Sequence, residues 1–361
     1  MTGLVMMIGT AKGLFLARSA DRLTWRLSDL MFSMNAVYAV AIDTRAKTPR
    51  LLVAAASEHW GPSVFHSDDL GTSWAEPEQG AIAFPAVTGA ALERVWQLQP
   101  SPSEPDVVWA GTQPSALFRS EDRGEHFDLV PALWDHPHRP EWGAGFGGQA
   151  VHTVLAHPGD AAQLTVAMST GGVYRSTDAG QSWTASNSGV AAYFLPDPAP
   201  EFGQCVHKIA RDAGNPDRLY LQNHHGVNRS DDGGRTWTSI ADGLPTDFGF
   251  AMVAHPRRAD VAYGFPIAAD RERVPPGHAC RVYRTEDAGA SWRALTEGLP
   301  QRDYYDIVLR DGMCADDADP SGIYFGTRNG EVYASADEGE HWTQVAGHLP
   351  SVLSVRTAVV G

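Results

Sequence analysis

Two short segments of the sequence carry the same polar residues at the same spacing. Gly-Gln-Ala-Val-His ends at His152, and Gly-Gln-Cys-Val-His ends at His207, 55 residues later. Imidazole groups bind borderline divalent ions, and they also transfer protons near neutral pH. The repeat therefore has two interpretations. It only builds the fold, or it directs the same polar groups from two equivalent positions towards one point.

A longer internal repeat has nearly the same period. The pattern Ser/Thr-x-Asp-x-Gly-x-x-Trp/Phe occurs six times between apolar or alternating runs, and successive copies start 50 to 56 residues apart. Asp and Ser/Thr side chains accept backbone hydrogen bonds in turns, and Gly adopts backbone angles closed to other residues. Each copy therefore predicts the turn of a β-hairpin, with a structural aspartate. The copies begin at Ser67, Ser120, Ser176, Ser230, Thr285 and Ser335, and a shortened copy without the glycine begins at Ser19.

The segments around each copy predict the architecture. Two more strand-like runs precede each hairpin, so a unit of about fifty residues contains four antiparallel strands, which is typical of a propeller blade. The first unit has only three runs, and the chain ends with one spare run, VLSVRTAVV. We predict an all-β, seven-bladed β-propeller of four-stranded antiparallel blades, a single domain over residues 1–361. The C-terminal strand closes the ring by joining the N-terminal blade.

Composition excludes several classes of partner. The 361 residues carry a net charge of −15 without a visible cluster of Lys and Arg, which argues against nucleic acid and against an anionic membrane surface. There is no apolar run long enough to cross a bilayer and no basic leader segment. The three cysteines have unrelated spacings, which favours free thiols and a cytoplasmic location.

The eight-residue repeat resembles the Asp box of BNR-repeat proteins, which include sialidases, sortilin-type receptors and several glycoside hydrolases. The resemblance covers nearly the whole chain and implies a β-propeller, whereas unrelated activities share these repeats. A sialidase would carry an arginine triad, opened by Phe/Tyr-Arg-Ile-Pro near the start, and a Tyr–Glu nucleophile pair. The nearest string, Arg273-Val274-Pro275, lies in the sixth unit. The sequence therefore does not favour sialidase activity.

The predicted topology places the Gln/His repeat. The Asp-containing turns define one face of the ring, and the links between blades lie at the opposite face. Gln149, His152, Gln204 and His207 begin the first strands of blades four and five, which puts them at this opposite face near the axis. Turns, links and aligned first strands add further residues there: Glu58, His59, Trp60, His224, His225, Trp142, Tyr193, Tyr38, Arg94, Phe250 and Asp306.

This set of side chains suggests metal-assisted chemistry. Histidines with a glutamine form a candidate site for Zn²⁺ or Mn²⁺, and the Gln-x-x-His step is similar to the metal site of oligogalacturonate lyases. The hypothesis is a lyase or hydrolase acting on a small anionic or carbohydrate-like substrate, without an organic cofactor. Its metal ligands are His59, His152, His207, His224, Gln149 and Gln204. Its catalytic residues are His225, Arg94 and Glu58, and its substrate contacts are Trp60, Tyr193, Trp142 and Tyr38.

Three other interpretations stay open. Water in a propeller channel could satisfy these histidines without any metal. The chain could be a non-catalytic binding or assembly module with a protein partner, or a sialidase-like glycoside hydrolase. The clustering of proton-transferring residues at one mouth favours the enzyme, because a protein-docking face would carry a broader apolar patch.

Overall fold

A computed structural model describes residues 3–145 and 148–360, and their regular structure is almost all β-strand. The strands of the N-terminal half are β1 (Gly3–Thr10), β2 (Gly13–Ser19), β3 (Arg26–Leu27), β4 (Asn35–Asp43), β5 (Arg50–Ser57), β6 (Gly61–Ser67), β7 (Arg94–Pro100), β8 (Val108–Gln113), β9 (Ala116–Ser120), β10 (Asp128–Leu129), β11 (Ala150–His157), β12 (Asp160–Ser169), β13 (Gly172–Ser176) and β14 (Thr184–Ala185). Those of the C-terminal half are β15 (Val206–Arg211), β16 (Leu219–Asn223), β17 (Val227–Ser230), β18 (Thr238–Ser239), β19 (Gly249–Ala254), β20 (Ala262–Pro266), β21 (Val282–Thr285), β22 (Arg293–Leu295), β23 (Val308–Ala315), β24 (Ile323–Thr327), β25 (Val332–Ser335), β26 (Thr343–Ala346) and β27 (Val352–Val360). Short helical segments span Pro131–Trp134, Ala86–Thr88, Arg139–Glu141 and Pro276–His278. The prediction of an all-β fold is confirmed.

The strands of the described residues form six sheets. Four sheets have four strands each, in the orders β7 to β10, β11 to β14, β15 to β18 and β19 to β22, and β4 to β6 form a three-stranded sheet. The largest sheet has the order β26-β25-β24-β23-β27-β1-β2-β3. A single parallel pair, Asp311 with Ser354, joins its two halves between β23 and β27. All other pairings between these strands are antiparallel, as the repeat predicts.

The first strands of the sheets contact one another in a closed sequence. Contacts run from β4 through β7, β11, β15, β19, β23 and β27, and from β27 back to β4. Apolar side chains fill the space between neighbouring sheets: Leu219 and Leu221, for example, are buried in one cluster with Ala167 and Val173. These first strands therefore enclose a centre, and the core lies between the sheets that radiate from it.

The Asp-containing repeats form the turns between the third and fourth strands. Ser176 Oγ donates to Asp178 Oδ1 at 2.7 Å and accepts a hydrogen bond from Gly180 N at 2.8 Å. The other five full copies have the same Ser/Thr–Asp and Gly–Ser/Thr bonds. Ala179 N donates to the carbonyl of Ala162, which places these turns beside the turns between first and second strands. The predicted structural role of these aspartates matches their contacts.

The two ends of the chain meet in one sheet. β27 pairs with β1 in antiparallel register, from Gly3 opposite Val360 to Thr10 opposite Val352. The prediction that the C-terminal run joins the N-terminal strands is confirmed. Within the described residues, no helix has the length and apolar character needed to cross a membrane.

Candidate functional site

A cavity of about 680 Å³ lies where the first strands meet. Side chains from β4, β7, β15, β19, β23 and β27 line it, together with residues of the adjoining turns and links. It is therefore at the centre of the ring, on the side opposite the Asp-containing turns. Its lining includes Tyr38, Arg94, Trp96, Thr170, Phe194, Cys205, His207, His224, Phe248, Phe250, Asp270, Arg273, Arg310, Asp311, Arg328 and Leu353.

The cavity is cationic although the whole chain has a net charge of −15. Four arginines line it, and among the described residues neither Arg94 nor Arg310 forms an ion pair with a carboxylate. The Arg94 guanidinium lies 4.4 Å from the centroid of the Tyr38 ring, and that of Arg310 lies 5.4 Å from the Phe250 ring. Arg310 also donates to Ser169 Oγ at 3.2 Å. Burial lowers the pKa of Arg310, and the nearby Arg273 charge adds to this effect.

The carboxylate beside Arg310 is already neutralised. Lys208 Nζ donates to Asp311 Oδ1 at 2.8 Å, and Arg356 forms a second ion pair with the same oxygen. Burial opposes ionisation, but Lys208 and Arg356 hold the pKa of Asp311 below its ordinary value. Asp311 is therefore a fixed carboxylate with two cationic partners, and it is poorly suited to donate a proton in catalysis.

A thiol and two imidazoles form the other polar wall of the cavity. One ligand atom from each of Cys205, His207 and His224 lies within 4.8 Å of the others. Cys205 Sγ is 3.7 Å from His207 Nε2, and the backbone N–H of His224 donates to the Cys205 carbonyl at 2.9 Å. Burial lowers the pKa of both histidines and raises the pKa of the Cys205 thiol. Both imidazoles are therefore neutral at pH 7, with lone pairs available.

The repeated histidines have a shared structural role. His152 Nε2 donates to the Val206 carbonyl at 2.8 Å, and His207 Nδ1 donates to the Gly249 carbonyl at 2.6 Å. Each imidazole thus bonds the first strand of the next sheet. The second nitrogen of His152 lies 3.1 Å from Thr153 Oγ1, so both of its nitrogens have protein partners. His152 does not line the cavity, and it is not retained as a metal ligand.

The two glutamines hold the preceding links. Gln149 Nε2 donates to the Trp142 carbonyl at 2.6 Å, and Gln204 Nε2 donates to the Pro200 carbonyl at 2.7 Å. Neither side chain lines the cavity. The Gln-x-x-His step therefore repeats because each of these two sheets uses the glutamine to fix its incoming link and the histidine to bond the next first strand.

The turn after β5 lies away from the centre. Glu58, His59 and Trp60 are all exposed, with Trp60 92% exposed, and they are absent from the cavity lining. β5 is the second strand of its sheet, one strand further from the centre than β4. The expected roles in metal binding (His59), catalysis (Glu58) and substrate contact (Trp60) therefore have no support from their positions.

Three other expected site residues have different surroundings. His225 packs against the Tyr193 ring, 5.1 Å between centroids, and it is His224 that faces the cavity. Tyr193 is 70% exposed outside the cavity lining. Trp142 is buried, and its indole N–H donates to the Tyr174 hydroxyl at 2.8 Å. Trp142 is thus a core residue, while Tyr38, Arg94, His207 and His224 do line the cavity.

The sequence signals for the missed residues differ. Cys205 replaces Ala150 inside the repeated Gly-Gln-x-Val-His segment, and this difference between the copies could have identified it. Arg310 was missed because the alignment of the first strands placed Asp306, and not Arg310, at the position facing the axis. β23 begins only at Val308, and the Asp306 carboxylate instead accepts the Asn329 N–H at 3.0 Å. Two further charged residues of the lining, Asp270 and Arg273, lie on a loop without a repeated pattern.

Comparison with known proteins identifies the fold. No protein-family model and no curated protein match the sequence. An ancestral GH74 enzyme aligns with 86% of this chain at a TM-score of 0.57 and 18% identity, and this chain spans 38% of that enzyme. YCF48 bound to a D1 peptide aligns with 86% of this chain and 82% of its own, at a TM-score of 0.55 and 12% identity. YCF48 from Cyanidioschyzon merolae gives a TM-score of 0.55 at 13% identity, covering 86% and 85% of the two chains. The GH74 enzyme and YCF48 are both β-propeller proteins.

This chain is a β-propeller. At these identities the likeness establishes the fold alone. The first strands are the innermost strands of the propeller, and the cationic cavity lies on its axis.

Proposed function

We propose that the axial cavity binds a small organic anion, with a carboxylate or phosphate group, and that the protein is an enzyme of the lyase or hydrolase type that acts on it. The observation that carries this proposal is the pair of half-buried arginines, Arg94 and Arg310, without a carboxylate partner among the described residues. A charge that is partly removed from water is costly unless an opposite charge compensates it. An anionic ligand would supply that charge.

The cavity also has groups for orientation and proton transfer. The rings of Tyr38 and Trp96, 5.2 Å apart, form one wall beside Arg94 and could receive the apolar face of a sugar-like ring. His224 Nε2 lies 3.8 Å from Asp270 Oδ2. His224, and not His225, faces the cavity, and its neutral imidazole can either accept a proton or bind an ion there.

A glycoside hydrolase is the second enzymatic candidate, since a GH74 enzyme shares the fold. Glycosidases commonly use two carboxyl groups on opposite sides of the scissile bond. Two of the described residues that line the cavity are carboxylates, Asp270 and Asp311, and Asp311 is held by Lys208 and Arg356. This leaves one carboxylate for chemistry, which favours a mechanism that does not need a second carboxyl group.

A non-catalytic module is the alternative from a different class. YCF48, which shares the fold, has been solved bound to a D1 peptide. Tyr193 and Phe194 are 70% and 46% exposed, and Phe194 lies at the cavity itself, so an apolar peptide side chain could contact them. On this proposal the same anionic group would be a carboxylate of a protein partner.

We also propose a finer description of the fold. The seven innermost strands, β4, β7, β11, β15, β19, β23 and β27, each begin one of seven blades, and the eight-stranded sheet is two blades in contact. The repeated turns are Asp boxes of the BNR type, and residues 1–361 are one domain. The three buried, free cysteines support a reducing, cytoplasmic location.

Calorimetry with matched ligands tests the function. We expect galacturonate and inorganic phosphate to bind, and galactose, which lacks the carboxylate, to bind much more weakly. Arg310→Met keeps the side-chain stem but removes charge-assisted hydrogen bonds worth about 1.5–3 kcal/mol each, so anion affinity should fall roughly 10- to 150-fold. The control is Arg302→Met, at an exposed position.

The outcomes separate the candidates. Equal binding of galactose and galacturonate, with no effect of Arg310→Met, would refute the anion site. Anion binding without turnover of any uronate or phosphorylated substrate would refute the enzyme and support the non-catalytic binding module. Turnover of a neutral glycoside that depends on Asp270 but not on Arg310 would support the glycoside hydrolase.

A further inference from the structure

We infer that the axial cavity binds a divalent zinc ion on Cys205 Sγ, His207 Nε2 and one imidazole nitrogen of His224, with the fourth position open to the cavity. The site differs from the ligand set expected from the Gln/His repeat, because Cys205 replaces His152, His59 and both glutamines. Three protein ligands with one open position are typical of catalytic zinc sites, including those with cysteine and histidine ligands.

The spacing of the donor atoms fits zinc. Zinc–sulfur bonds of about 2.3 Å and zinc–nitrogen bonds of about 2.0–2.1 Å at a tetrahedral angle place S and N about 3.6 Å apart. Cys205 Sγ and His207 Nε2 are 3.7 Å apart, and the His224 donor lies within 4.8 Å of both. One ion can therefore contact all three atoms with only small movements of the side chains.

The surroundings of His207 fix its orientation and tautomer as a metal site requires. The Gly249 carbonyl can only accept, so His207 Nδ1 carries the proton, and Nε2 presents its lone pair towards Cys205. Metal-bound histidines commonly donate their other N–H to a backbone carbonyl or a carboxylate. The equivalent His152 donates through Nε2 and keeps Nδ1 beside Thr153, so only one of the two repeated histidines is available to an ion.

His224 is fixed beside Cys205 by the main chain. Its backbone N–H donates to the Cys205 carbonyl at 2.9 Å, and its ring packs against Phe248, 5.2 Å between centroids. The Asp270 carboxylate lies 3.8 Å from His224 Nε2, where it can act as an outer partner of the site. The three donors thus belong to two ordered segments rather than to one mobile loop.

The donor set selects the metal. A thiolate is a soft ligand and imidazole a borderline one, so the site favours zinc over manganese, which prefers carboxylate and water oxygens. Binding releases the Cys205 thiol proton to solvent, since the thiolate is the ligand. The open position faces the arginines, so the anion of the proposed function would complete the coordination; this last step alone rests on that function.

Metal binding to the full chain tests the inference. Protein purified without a metal column and treated with a chelator should bind one Zn²⁺ per chain by elemental analysis. Cobalt should replace zinc and give tetrahedral d–d bands and a thiolate-to-cobalt charge-transfer band. Cys205→Ser should remove that band and weaken zinc binding at least about 100-fold, since loss of an outer partner alone costs about 10- to 100-fold. The matched control is Cys314→Ser, at a buried cysteine outside the cavity lining.

Arg310→Met and Cys205→Ser together separate this inference from the proposed function. Arg310→Met should keep zinc and lose the anion, whereas Cys205→Ser should lose zinc and keep the charge-dependent part of anion binding. His152→Leu should keep zinc, and His207→Gln should weaken zinc binding. Absence of zinc binding in the unaltered chain, a cobalt spectrum without the charge-transfer band, or full zinc binding by Cys205→Ser would each overturn the site.

Discussion

Replacement of Asp311 by Asn probes the ion cluster beside the axial cavity. The Asp311 side chain is 6% exposed and that of Lys208 is 10% exposed, and the two meet at 2.8 Å. Asp311 belongs to the innermost strand of one blade, Lys208 to that of another, and Arg356 to the closing strand β27. Asp311→Asn preserves the shape of the side chain but leaves two cations without their shared carboxylate.

The structure sets the size of the effect. Breaking a buried ion pair by removal of one partner costs about 3–5 kcal/mol, because the remaining charge stays buried. Lys208 is the charge that cannot reach water, whereas Arg356 has a side chain that is 24% exposed and can be hydrated. Unfolding of 361 residues carries an entropy of about 0.8 kcal/mol/K at about 2.1 cal/mol/K per residue. We therefore expect Tm to fall by roughly 4–7 °C.

Urea unfolding followed by tryptophan fluorescence, together with thermal melts, measures this loss. Lys208→Met/Asp311→Asn removes the buried cation together with its partner, so the double variant should be more stable than Asp311→Asn alone. An Asp311→Asn variant with the unfolding midpoint of the unaltered protein would refute the reasoning. The reasoning would also be refuted if the stability lost by the double variant equalled the sum of the losses in Asp311→Asn and Lys208→Met alone.

Two further predictions concern the blades and their turns. Gly298 and Gly243 have φ values of +86° and +91°, but a Cβ at Gly298 would overlap the Trp342 carbonyl, whereas at Gly243 the nearest atom is Trp292 N at 3.7 Å. Gly298→Ala should therefore destabilise the protein by about 1–3 kcal/mol more than Gly243→Ala in urea unfolding, and equal losses would show that the neighbouring carbonyl moves aside. The Asp337 carboxylate accepts a hydrogen bond from the His341 ring and raises the pKa of His341 above 6.5. This contact therefore stabilises the fold below pH 6.5, and its contribution is lost as the pH rises through the pKa of His341 in the folded protein. NMR titration should show the pKa of His341 falling in Asp337→Asn, and an unchanged value would contradict the assignment.

The fold could be predicted from the sequence because its signal is local and repeated. A turn such as the one from Ser176 to Trp183 needs a hydroxyl, a carboxylate, a glycine and an aromatic residue at fixed spacing, and all of these partners lie within eight residues. Ring closure could also be predicted, since the first unit lacks one strand and the last has one spare. These properties depend only on short segments and on hydrogen-bond satisfaction at sheet edges.

The site was harder to predict because it depends on the register of the innermost strands and on which ring nitrogen of each histidine faces the cavity. Bulges in the innermost strands shift the side chains by one position, as between Val206 and Lys208, and β23 has a larger shift between Val308 and Met313. Two histidines with the same sequence context then differ, because Cys205 lies beside one and Thr153 beside the other. The Arg94 and Tyr38 positions were predicted from the same alignment that failed for Arg310.

The closing strand also contributes to the cavity wall. Leu353 of β27 and the preceding Ser351 line the cavity, and Arg356 reaches Asp311 from the same strand. The cavity is therefore complete only while β27 stays paired with β1, so occupancy and closure are thermodynamically linked. A ligand of the axial cavity, at a free concentration of one hundred times its Kd, would stabilise the closed ring by about 2.7 kcal/mol. The supply of that small molecule would then set how often the two ends of the chain separate, and with it how readily a protease could cut the ring open.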